Sequence, residues 1–301
     1  MDHKALVASL SPAQRVALTA RSDLRGLAQL GVHWGAIAFI GALILAKVPA
    51  WPVLMIPQGI LLVFLFTLLH ETSHRTPFRT EWIGTAVGHV CGFVLFLPAG
   101  WFRYFHFAHH RFTQIPGQDP ELATPKPATR AQYLWHVSGL PVWRGHAATL
   151  LRNAAGGCRD DFVPEVRRER IAREARILLV LYACLAAAAL AASSDALLRV
   201  WLVPLLLGQP FLRLYLLAEH GRCAFVANML ENSRTTFTNG LVRRLAWNMP
   251  YHAEHHSYPA VPFHRLPELH RLARPHLAQT ETGYVAFNRR YAAGLTPFGR
   301  P

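Results

Sequence analysis

Four stretches of the 301-residue chain run for about 18 residues or more with almost no charge: 27–47, 51–69, 177–193 and 197–217. A helix that long and apolar spans a bilayer, where every backbone N–H and C=O must be satisfied within the segment. Four membrane helices in two hairpins, one in each half of a single domain (residues 1–301), are therefore expected, making this an all-α integral membrane protein. A fifth apolar block, 82–98, is short and interrupted by His89. The first 26 residues contain no apolar core followed by a small-residue cleavage site, so no signal peptide is expected.

Charge sets the expected orientation. The chain has 31 basic and 17 acidic residues, a formal net charge of +14. With four spans the outer joints fall near Pro49 and Ser194–Asp195, and only Lys47 and Arg199 lie close to them. Basic residues stay on the cytoplasmic side, which places both termini and the long loops there. That distribution accounts for the excess without a nucleic-acid partner. A spanning fifth block would export the basic loop after it, so 82–98 is expected to lie in, or dip into, the cytoplasmic leaflet. Gly84, Gly88 and Gly92 recur at four-residue spacing there, a pattern of close helix packing. A cytoplasmic cap then comprises 99–176 and 218–301. Within it, 118–130 is rich in proline and charge and is expected to be a surface loop. The segment VRRERIAREAR (166–176) has helical spacing and dense charge, as in a headgroup-anchored lead-in to the third span. Cys91, Cys158, Cys184 and Cys223 form no C-x-x-C pair and are expected to be free thiols.

The second span runs into HETSH, residues 70–74, which matches the H-E-x-x-H of zinc peptidases with Glu71 as general base. The other histidines bear on that reading. HFAHH supplies His106, His109 and His110, and HAEHH supplies His252, His255 and His256. Positions i, i+3 and i+4 share one helix face, so each group can aim two or three imidazoles at one point. His220, just past the fourth span, adds a possible ninth. The other eight (His3, His33, His89, His136, His146, His264, His270 and His276) read as ordinary surface or interface residues. A zinc peptidase needs three protein ligands and an open position, which leaves six clustered histidines surplus. Eight or nine imidazoles instead suit two ions of four or five ligands each. Imidazole binds zinc, copper, iron and nickel alike; a redox pair held against the bilayer suits oxidation of an alkyl chain.

These groups, in this order, resemble the histidine boxes of the membrane fatty-acid desaturase family. WFRYFHFAHHRFTQIPGQDPE (101–121) is similar to the second-box neighbourhood of bacterial members, and NMPYHAEHHSYPAVPFHRLPELH (248–270) to the third-box region of desaturases and carotenoid ketolases. The resemblance implies two non-haem iron ions, O2 as oxidant, and ligands His70, His74, His106, His109, His110, His252, His255 and His256. His220 would match the extra histidine of acyl-CoA desaturases. In those enzymes an asparagine four residues earlier holds a metal-bound water; here that position is Leu216, with Asn248 as a substitute or a helix cap. Glu71 and Glu254 would orient imidazoles, or face solvent. The three-residue spacing in the first box favours the acyl-lipid desaturase, hydroxylase and ketolase branches, in a bacterial-type inner membrane. No iron–sulfur or cytochrome b5 module is recognisable in these residues, so electrons are expected from a separate ferredoxin or reductase, with Arg167, Arg168 and Arg170 available to an acidic partner. Introduction of a double bond into an acyl chain is the leading expectation. A hydroxylase or ketolase acting on a lipid, carotenoid or small metabolite, a zinc intramembrane peptidase, and a metal-binding or transport protein are the alternatives.

Overall fold

A computed structural model describes residues 1–296; the end of the expected cap, 297–301, lies outside the described residues. The chain is mostly helical. Two short helices, α1 (His3–Ser9) and α2 (Pro12–Leu18), lead into α3 (Asp23–Leu45), and α4 (Trp51–Val63) returns. Pro57 lies inside α4, and a break at Phe64 separates it from α5 (Leu65–Ser73), which continues to the first histidine group. Next come α6 (Glu81–Val94), α7 (Ala99–Phe112), α8 (Arg130–Val137), α9 (Leu140–Ala154) and α10 (Glu165–Ala191). A π-helical turn, Leu198–Leu202, opens α11 (Val203–His220). The tail folds into α12 (Met229–Asn232), α13 (Gly240–Leu245), α14 (His252–Ser257), α15 (Leu266–Ala273) and α16 (Tyr284–Ala293). Between them, β1 (Thr235–Thr236) pairs in parallel with β2 (Thr280–Glu281), Thr235 opposite Thr280.

Among the described residues four helices are long and apolar enough to cross a membrane: Pro12–Leu45, Trp51–Ser73, Glu165–Ala191 and Leu198–His220. The third is the most exposed, with Leu190 and Val180 open on its surface, as a helix bathed in lipid would be. The charged stretch 166–176 belongs to the same unbroken helix, α10, and buries Ile171, Ala172 and Ala175. Within the helical core the most extensive packing is between α4 and α11 rather than between the sequence neighbours α10 and α11. Glycine makes it possible: a Cβ on Gly59 would fall 2.0 Å from the Pro204 carbonyl oxygen, and one on Gly208 2.2 Å from that of Gly59. Two backbones meet there, as at small-residue crossings in membranes.

The fifth apolar block forms α6, and α7 follows at an angle of 100° after a four-residue break. Gly88 lies against Thr72, where a Cβ would approach its hydroxyl to 2.8 Å, so α6 packs on α5. The start of α7 has no side-chain cap of its own. Glu174 of α10 supplies one, accepting from the Gly100 N–H at 3.0 Å while contacting His89 Nδ1 at 3.0 Å. A carboxylate there satisfies orphan amides and complements the helix dipole. It also fixes α7, the carrier of the second histidine group.

Candidate metal centre

The four elements bearing the clustered histidines converge. α5 ends at the first group, α7 carries the second along one face, α11 terminates on His220, and α14 holds the third. His74 Nε2 lies 2.7 Å from His106 Nε2, so the 70–74 and 106–110 groups occupy the same side of the molecule. One set of nitrogens, from His70, His74, His106, His110 and His255, falls within 4.8 Å of one another; a second, from His109, His220 and His256, does likewise. His252 joins the second through a 2.9 Å approach of its Nε2 to that of His220. The His110 and His256 rings stack at 4.0 Å across the two sets. All nine histidines singled out from the sequence are therefore brought together.

In the second set three of the outer nitrogens are committed. His109 Nδ1 donates to Asp119 Oδ1 at 2.9 Å, His220 Nδ1 to the Asn232 carbonyl at 3.0 Å, and His256 Nδ1 to the Thr113 hydroxyl at 3.1 Å. Those acceptors fix each proton on Nδ1 and leave the Nε2 lone pairs facing inward. In the first set, both ring nitrogens of His70, His110 and His255 are buried without a hydrogen-bond partner among the described residues. Orphaned buried polar atoms are costly. A cation satisfies several converging imidazole lone pairs together, so the donor set fits a metal. Burial holds His252, His255 and His256 well below the ordinary imidazole range, with neighbouring rings adding to the effect. They are neutral, ligand-competent bases at neutral pH.

The expected orienting residues lie elsewhere. Among the described residues neither Glu71 nor Glu254 hydrogen-bonds a clustered histidine. Glu71 accepts from the Thr76 hydroxyl, and Glu254 joins Thr235 and His270, tying α14 to β1 and α15. Both are buried, so a solvent-facing role does not hold either. Asn248 neither approaches the cluster nor caps α14: its amide donates to the Phe263 carbonyl, because a left-handed turn at Trp247 and Asn248 directs it away. Asp119, Glu121 and Glu219 stand at the cluster instead. Glu219 Oε1 is 3.4 Å from His252 Nδ1, and Glu121 Oε2 is 3.4 Å from His109 Nε2. The first two of these lie in segments with a sequence signal, DPE ten residues beyond His109, but the 118–130 stretch reads as a surface loop by composition. Its start is not one: Asp119 is buried. Of the histidines set aside, His33 is also buried, bridging the Leu61 carbonyl of α4 and the Trp247 indole.

A cavity of about 370 Å³ opens onto the cluster at His70, His106, His109 and His252. Phe66, Phe102, Trp143, Leu212 and Leu216 give it apolar walls, while Lys126, His136 and Arg213 place polar groups in it. Its size is within the range of small-molecule sites.

Fold and site together define a helical membrane protein built around a polyhistidine metal-binding cluster. The family described as fatty acid desaturase matches residues 25–288. The chain is 25% identical over 258 residues to fatty acid conjugase FAC2 B of Calendula officinalis, covering 76% of this chain and 69% of that protein. It is 30% identical over 139 residues to a Delta(12) fatty acid desaturase of Mortierella isabellina, covering 43% of this chain and 33% of the relative. An sn-1 oleoyl-lipid 12-desaturase of Picosynechococcus is 30% identical over 102 residues, 30% of this chain and 29% of the relative. This chain belongs to the fatty acid desaturase family.

Proposed function

We propose that the protein is an O2-dependent di-iron oxidoreductase that introduces a double bond into an acyl chain, drawing electrons from an external ferredoxin-type donor. The observation that carries this reading is the convergence of nine imidazoles into two sets beside an apolar cavity. When bound, the iron pair supplies the oxidising power that unactivated C–H bonds demand. His70, His74, His106, His110 and His255 would hold one ion, and His109, His220, His252 and His256 the other. Asp119 fixes the tautomer of His109, and the aromatic walls exclude water and line up a chain against the cluster. Positioning decides which neighbouring C–H bonds are reached. The histidine groups are cytoplasmic in this reading, in a bacterial-type inner membrane with both termini on the same side. The described chain is one domain, with α7–α9 and the tail after α11 as its cap.

The polar groups in the cavity, Lys126, His136 and Arg213, favour a second reading in which the substrate carries a polar group and is hydroxylated or oxidised to a ketone. Mass spectrometry of lipids and small molecules from cells with and without the gene, with iron quantified in the purified protein, tests both. Loss of two hydrogens from an acyl product supports desaturation, and gain of one oxygen supports the second reading. Zinc in place of iron, with no O2 consumed, would refute both.

A further inference from the structure

Carboxylates are unevenly distributed about the cluster. Asp119, Glu121 and Glu219 all meet members of the second set. Among the described residues no carboxylate pairs with a member of the first. Asp119 and Glu219 address Nδ1 atoms, the outer faces of their rings, but Glu121 faces Nε2 of His109, the side turned to the other imidazoles. With the His109 proton held on Nδ1 by Asp119, an imidazole lone pair and a carboxylate oxygen confront each other at 3.4 Å. That contact is attractive only when a proton or a metal cation lies between them. Two donors each about 2.1 Å from a shared ion at a tetrahedral angle stand about 3.4 Å apart, and His109 Nε2 and His220 Nε2 are spaced similarly, at 3.2 Å.

We infer that Glu121 is an anionic ligand of the ion held by His109, His220, His252 and His256. The inference rests on the di-iron reading. Lys126 anchors the far oxygen, Oε1, through an ion pair and leaves Oε2 toward His109. Leu216 lines the same cavity as Glu121 and offers only hydrocarbon there. Charge supports the same arrangement. Two divalent ions in an all-imidazole cage leave four positive charges in a region of low dielectric, where an uncompensated charge is costly. A carboxylate ligand offsets part of that at one ion only, so the two positions differ: one has an oxygen donor and the other has imidazoles alone.

The test is Mössbauer spectroscopy and iron quantification on the purified full chain grown on 57Fe, comparing wild type with Glu121→Ala, Glu121→Gln and Lys126→Ala. The wild type should hold about two ions per chain in two distinct environments. Glu121→Ala should retain about one and lose one of the two spectral components. Glu121→Gln, similar in shape and neutral, should keep two ions but release one at lower chelator concentration than wild type. Lys126→Ala, which unties the far oxygen but keeps the carboxylate, should keep two ions and release one more readily than wild type. Two ions with an unchanged spectrum in both Glu121 variants would overturn the inference while leaving the di-iron reading intact. So would equal iron loss in Lys126→Ala, which would trace the effect to the ion pair. A wild type without an iron pair would overturn the di-iron reading, and this inference with it.

Discussion

His109 shows how one imidazole is set up to accept a metal. Asp119 accepts its Nδ1 proton and is itself held by the amides of Gln114 and Glu121 at 2.8 and 2.9 Å. His109→Ala should abolish product formation and lower bound iron, read by metal analysis. Asp119→Asn should leave the chain folded but weaken metal binding by roughly 10–100-fold, the usual effect of removing a partner that orients a ligand, measured by chelator competition. Protons compete for the same nitrogens. Because His252, His255 and His256 are held below the ordinary imidazole value, the unfolded chain binds more protons than the folded one, and stability rises with pH. Metal retention and stability should therefore hold above about pH 6.5 and fall as the solution is acidified below it, in a melting series across pH 4–8. Retention that did not change over that range would show that the rings are not the ligands.

Elements place these side chains through a few close approaches. The α4–α11 crossing at Gly59 and Gly208 sets the distance between α11, which ends at His220, and the helix that leads into α5 and its His70. Gly208→Ala should cost about 1–3 kcal/mol by overpacking, seen as a lower unfolding midpoint in detergent. Gly35→Ala, with open space around it, should leave the midpoint unchanged. At the α6–α7 bend, Glu174 bonds the Gly100 amide from a helix distant in sequence. Glu174→Ala should loosen α7 and lower iron at both sets together, unlike Glu121→Ala, which should empty one.

For the whole molecule the net charge of +14 matters most at the surface that would meet an electron donor. Attraction between a basic face and an acidic partner speeds encounter and is screened by salt. The rate of reduction by a ferredoxin should therefore fall as ionic strength rises, and charge reversal at Arg167, Arg168 and Arg170 should lower it further at low salt. An unchanged rate would place the docking face elsewhere.

At this scale the line between chain and fold is clear. Helix periodicity already put three imidazoles of HFAHH and of HAEHH on single faces, and uninterrupted apolar length already marked the spans, because both depend on neighbours within a few residues. The carboxylates were not legible in that way. Asp119 and Glu121 reach His109 by folding a proline-rich loop back onto α7, and Glu219 meets His252 across 33 residues of chain. Asn248 misled for the opposite reason, lying four residues from His252 while a left-handed turn sends it to Phe263. The amino-acid sequence by itself determined that this is a helical membrane protein with nine candidate imidazole donors, since hydropathy and i, i+3, i+4 spacing are local properties. Only the tertiary structure decided how the donors divide into two sets and which acids attend them, because those contacts join residues that no local periodicity relates.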